Sequence, residues 1–236
     1  MLDNDSAERC IHRLLLLTTC RPTPVYHSID STMRKYLAVV TALVLAIPHS
    51  ARAQVRRTDV NLAIGQLNLA VRALPPVAAL ARIQAAVTWL SERAERTDPA
   101  NVSQEYVRSL QQVAELLRTD RRSVVADDVA DELEAKVEHC RALGIDMGGS
   151  VLLSVNTKRG AQMVRDWQVF YLLKIYEHVK GAAPTVFPSL STPTQSTLEP
   201  GRYWLWARDP STGRISERAL VRVAGQNQLQ VDLPVP

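Results

Sequence analysis

IDMGGSVLLSVNT, residues 145–157, decides the fold. Up to Gly144, apolar residues return every three or four positions, the period of a helix. After Gly149 they return every second position: Val151, Leu153, Val155 and Thr157 alternate with Leu152, Ser154 and Asn156. That is the period of a strand with one buried face. The chain is therefore read as α+β, with a four-helix region (54–146) before a small antiparallel β-sandwich (147–236). The two halves either pack around a pocket or hang apart on Gly148-Gly149.

Working back from this joint, four amphipathic stripes appear. Val60, Ile64, Leu67, Val71 and Leu74 form the first, ended by Pro75-Pro76. Leu80, Ile83, Val87 and Leu90 form the second, closed by the turn Thr97-Asp98-Pro99. Tyr106, Leu110, Val113 and Leu117 form the third. Val125, Val129, Leu133 and Val137 form the fourth, which Gly144 caps. Short connections make neighbouring helices antiparallel, hence a bundle. The fourth helix carries Asp127, Asp128, Asp131, Glu132, Glu134 and Glu138, all off its apolar stripe. They read as a solvated face rather than a metal site, because a bundle di-metal centre needs Glu-x-x-His on two helices. Cys140 lies three residues past Val137 and extends the stripe, so it reads as a buried, inert thiol. Adjacent His139 projects about 100° away from it, which disfavours a shared metal.

Working forward, Lys158-Arg159-Gly160 is a turn, and Trp167 to Tyr176 is the strongest strand. Trp167, Val169, Tyr171, Leu173 and Ile175 share one face; Phe170 and Leu172 make the other apolar too, as in a covered strand. Four prolines and many Ser and Thr make 181–201 a long connection. Strands then follow at 203–208, 218–223 and 229–233, with turns at 209–213 and 225–227.

Thr157-x-x-Gly160-x-x-x-Val164 before a strand, followed by Leu198-Glu199-Pro200-Gly201-Arg202-Tyr203, resembles the transthyretin-like sandwiches of exported bacterial proteins. The carboxypeptidase-regulatory-like and Cna B-type domains belong to that group. The resemblance covers roughly 150–233 and leaves the helical part unrecognised. It implies a Pro-Gly turn opening a strand whose Tyr packs inward, and a binding or scaffolding module without catalysis.

The compartment is written near the start. Met33-Arg34-Lys35 precede the apolar run Tyr36 to Ile47, and Ala51-Arg52-Ala53 presents small residues where a signal peptidase reads. Residues 33–53 are thus a secretory signal, and 1–32 read as an upstream extension outside the working protein. The exported chain, periplasmic or extracellular, begins at Gln54. The competing account keeps 36–47 as an anchor, but twelve apolar residues fall short of the roughly 20 that span a bilayer. No stable membrane span is expected after cleavage.

From Gln54 onward the chain has 22 basic and 20 acidic residues, so charge gives no case for nucleic acid. One cysteine remains there, Cys140, which excludes an intrachain disulfide. The two histidines in this stretch, His139 and His178, exclude a multi-histidine metal site. No P-loop, G-x-G-x-x-G or G-x-S-x-G occurs, and no cofactor or metal is expected. Of the two histidines, His178 is the exposed one, in the loop after the central strand, and is a candidate binding residue as a ligand or general base. Trp204 and Trp206 share a strand face with Arg208, the composition of a binding hot spot for a protein or an envelope glycan. The same rings would alternatively cover the sandwich against the bundle. The function expected is a non-enzymatic binding or scaffolding role. The alternative is an exported hydrolase or glycan-active protein using carboxylates such as Asp166 and Glu177, which would have to face each other within about 10 Å.

Overall fold

The computed structural model describes residues 55–189 and 191–236. The signal, its cleavage site at Ala51, Ala53 and Gln54, and the 1–32 extension lie outside the described residues. Four helices come first: α1 (Arg57–Arg72), α2 (Leu80–Ala94), α3 (Gln104–Thr119) and α4 (Ser123–Leu143). All four stripes are buried, apart from their half-exposed end residues Leu74 and Leu80. Each large side chain withdrawn from water contributes roughly 1.5–3 kcal/mol. Ser103 caps α3 by accepting from the Tyr106 N–H at 2.9 Å. Gly144 ends α4 with φ 67° and ψ 28°, the left-handed cap that glycine favours.

Eight strands follow: β1 (Val151–Arg159), β2 (Gln162–Val164), β3 (Gln168–Leu173), β4 (Thr185–Val186), β5 (Thr194–Leu198), β6 (Gly201–Arg208), β7 (Ala219–Val223) and β8 (Gln228–Pro234). In the first sheet β8 runs along one edge of β1, while β5 and β2 share its other edge. The second sheet has the order β4-β3-β6-β7. Val151, Leu153 and Val155 of the first sheet meet Val169, Leu205 and Ala207 of the second in one hydrophobic core, which also contains the helix stripes. The described residues form a single compact unit.

Three expectations are corrected. The β1–β8 pair is parallel, not antiparallel, because β8 returns through a crossover instead of a hairpin. The central strand stops at Leu173, and Lys174–His178 winds into a 3-10 turn that drops Ile175 into the core. The segment 181–201 is not one loop. It contributes β4 against β3 and β5 against β1, the latter through the Thr/Ser alternation of 194–197.

Candidate functional site

α4 lies across one end of the second sheet. A helix advances about 4.5 Å in three residues, close to the roughly 4.8 Å between strands. Asp128 and Asp131, three residues apart on α4, therefore reach neighbouring strand ends, and Glu138 lies two turns further along. Asp128 meets Lys174 (3.3 Å) and His178 Nε2 (2.8 Å) beyond β3. Asp131 pairs with Arg202 of β6 and, at 2.6 Å, with Arg82 of α2. Glu138 holds Arg222 of β7 at 2.6 Å.

Between these pairs sits a fully buried ion pair. Lys136 Nζ stands 2.9 Å from Glu132 Oε1, and both side chains are inaccessible to solvent. Lys136 also donates to the Pro200 carbonyl at 2.8 Å and lies 4.8 Å from the centre of the Tyr106 ring. Glu132 Oε2 accepts the Arg202 N–H at 3.1 Å. Neighbouring Glu199 accepts from the Ser103 hydroxyl at 2.6 Å, and burial pushes its carboxyl above the usual range. The Tyr203 hydroxyl donates to the Glu199 carbonyl at 3.0 Å. Burial also raises the Tyr106 and Tyr203 hydroxyls well above theirs. The turn 198–203 thus binds the bundle to the sheet.

The solvated acidic face expected on α4 is corrected accordingly. Glu132 is fully buried and Asp128 is 9% exposed, because the sheet end covers both: Lys174 pairs with Asp128, and the Arg202 N–H reaches Glu132, whose cation Lys136 lies on α4 itself. His178 is likewise not a free loop residue. Its 3-10 turn folds it back onto Asp128, leaving its side chain 12% exposed. Asp166 precedes β3 and Glu177 follows it in the 3-10 turn, and the six residues of β3, at about 3.3 Å each, span roughly 20 Å between them. Glu177 is instead engaged by Lys174 at 2.6 Å. Nothing brings those two acids into one cleft.

His139 is buried with neither ring nitrogen hydrogen-bonded; desolvation, then Lys136, holds it below its usual range. Cys140 is fully buried, its Sγ 3.8 Å from the Gly148 carbonyl, and burial pushes the thiol up to about 11. A thiol reagent should therefore not label Cys140 without denaturant. Cys140→Ser should cost about 1–3 kcal/mol by burying a hydroxyl in place of sulfur. Rapid native labelling, followed by mass spectrometry, would show the side chain to be accessible.

The aromatic face lies on the side of the second sheet away from the first. Register places Phe170 opposite Trp206, Leu172 opposite Trp204, and Trp204 opposite Leu220. Trp206 is 8% exposed: its ring stacks on Phe170 at 5.8 Å and the Arg218 guanidinium lies 4.8 Å from its centre. Lys174 stands 5.4 Å above Trp204. Neither tryptophan offers an open ring to a ligand, so each expected platform is partly its own packing. Arg208 is exposed beside them. What stays open on this face is aliphatic: Val186 on β4, Leu220 on β7, and Ile215, which bridges to Arg208. A second open surface lies on α1, a shallow groove lined by Leu62, Gly65 and Leu69.

Among the described residues no group of three His, Cys, Asp or Glu is arranged to hold a metal ion, and no helix is long and apolar enough to cross a membrane. No protein-family model, characterised protein or solved structure matches this chain.

Proposed function

We propose that the chain is an exported, non-enzymatic binding or scaffolding protein of the periplasm or cell exterior, recognising its partner through the outer face of the second sheet. The observation that carries this reading is the placement of exposed apolar side chains. Of the seven large ones among the described residues, Val186, Ile215 and Leu220 belong to that face. Val186 and Leu220 stand on the two edge strands of this face, and exposed apolar surface gathered on one face marks interaction sites. The buried ion pair at the joint argues in the same direction. It makes the bundle a rigid support for the sheet, and a rigid support limits the ordering cost of binding.

The proposed export rests on residues 33–53. The likeness to transthyretin-like domains rests on the turn 198–203, where Pro200-Gly201 opens β6 and Tyr203 packs inward. Two readouts test the proposal. Intact mass of the exported species should place its first residue at Gln54; a membrane-bound species retaining 33–53 would favour the anchor. A photo-crosslinker at position 220, expressed in the native host, should give one discrete, saturable adduct. A correctly folded protein giving no adduct would end the binding reading for this face.

A further inference from the structure

Two ends of one sheet face can be compared within this molecule. At the end under α4, three of the sheet's four strands bring a cation to the outer face: Lys174 just past β3, Arg202 on β6 and Arg222 on β7. Each meets a carboxylate of α4, respectively Asp128, Asp131 and Glu138. Lys174 stands over the ring of Trp204 while doing so. The helix thus caps a sheet end in which cations overlie tryptophan.

The opposite end repeats that layout without the helix. Arg218 stands over the ring of Trp206 as Lys174 stands over Trp204. Its nearest carboxylate, Glu177, is 3.8 Å away and its side chain is 56% exposed. Arg208 continues the same face of β6 and bridges to Ile215. Among the described residues no carboxylate pairs with it. Ile215 is 59% exposed, and Leu220, opposite Trp204 on β7, is 38% exposed. Cations over an aromatic face, beside open aliphatic side chains, are complementary to a segment with carboxylates along one side and apolar groups next to them.

We infer that the open end of this face, formed by Phe170, Trp206, Ile215 and Leu220 with Arg208 and Arg218, docks an acidic amphipathic segment of a partner protein, as α4 occupies the other end. This rests on the binding role proposed above and gives the partner's chemistry. Arg208 and Arg218 pair with its carboxylates, and Ile215 and Leu220 cover its apolar side chains. An anionic lipid surface would use the arginines too. The stacked, nearly flat Phe170–Trp206 pair inside a cation rim suits a packed helix better than a headgroup layer.

The test uses the exported protein and a labelled peptide of the α4 sequence 123–139, the one segment already seen to fit such a sheet end. Fluorescence anisotropy should give saturable binding that weakens with added salt. A peptide with its Asp and Glu changed to Asn and Gln should bind at least tenfold more weakly. Arg208→Glu with Arg218→Glu in the protein should lower affinity by at least the same factor. The milder Arg208→Gln/Arg218→Gln pair, checked for an unchanged melting temperature, separates lost docking from misfolding. Absent binding, or binding indifferent to these charges, overturns the inference. So does binding to phosphatidylglycerol vesicles or to a sulfated polysaccharide with none to the peptide. A position-220 adduct with a partner lacking any acidic segment would leave the binding role standing and remove this inference alone.

Discussion

Lys136→Met should destabilise the protein by about 3–5 kcal/mol, the cost of removing one partner from a buried ion pair. For a domain of this size that is a fall of roughly 6–20 °C in melting temperature, at about 2–4 °C per kcal/mol. Glu132 would remain fully buried, keeping the Arg202 N–H at 3.1 Å but losing the ammonium 2.9 Å away. The Pro200 carbonyl would lose its donor, and Tyr106 the cation beside its ring. The cost is concentrated because the pair links α4 to the turn before β6. Loosening it frees the sheet from the bundle as well as stranding a charge. Glu132→Leu/Lys136→Met removes both charges, and should cost at least about 1 kcal/mol less than the two single changes added together. Thermal unfolding of the four species measures this. A Lys136→Met protein that melts within 2 °C of the parent would show that water reaches the pair.

The helices were legible because each stripe is a local, periodic signal that burial then honours. Val125, Val129, Leu133 and Val137 are spaced as a helix face and are buried as one. What was not legible was the second buried side of α4. Glu132 reads as one of a solvated row of carboxylates, because a sequence records spacing and not what arrives over it. One local sign was present: Ala126, Ala130 and Ala135 lie off the stripe and are buried, as on a helix covered on more than one side. The sheet was partly legible. Period-two alternation marked β1, β6, β7 and β8, whereas β4 and β5 are short and polar, and owe their existence to β3 and β1 beside them. The parallel β1–β8 pair depends on contacts more than seventy residues apart, where no turn chemistry announces the pairing. In the candidate site, Trp204 and Trp206 were found by their alternation. Their stacking under Lys174 and Arg218 follows from cross-strand register, which the single strand does not contain.

Gly148→Ala is the other change expected to be severe, and it bears on whether the Gly148-Gly149 joint is a hinge. Gly148 has φ +91°, and a β-carbon there would lie 2.1 Å from the Asn101 carbonyl oxygen and 2.9 Å from its carbon. Both atoms are backbone, so no side chain can rotate away. The next residue secures the same approach: the Gly149 N–H donates to the Asn101 carbonyl at 3.2 Å. Asn101 closes the short turn leading to Ser103, whose hydroxyl holds Glu199. Displacing Asn101 would therefore pull on the contact that joins bundle and sheet. A left-handed conformation costs a non-glycine residue about 1–2 kcal/mol, and forced overpacking about 1–3 more. The sum expected is roughly 2–5 kcal/mol. Gly160→Ala is the matched control. Its φ is +60° with nothing within 4 Å of the added carbon, so only the conformational part applies. Chemical denaturation of both variants isolates the clash. Limited proteolysis should leave the 144–150 segment uncut in the parent and cut it early in Gly148→Ala. If the two variants lose equal stability, the 99–102 turn yields freely, and the joint is the flexible connector that its two glycines suggest.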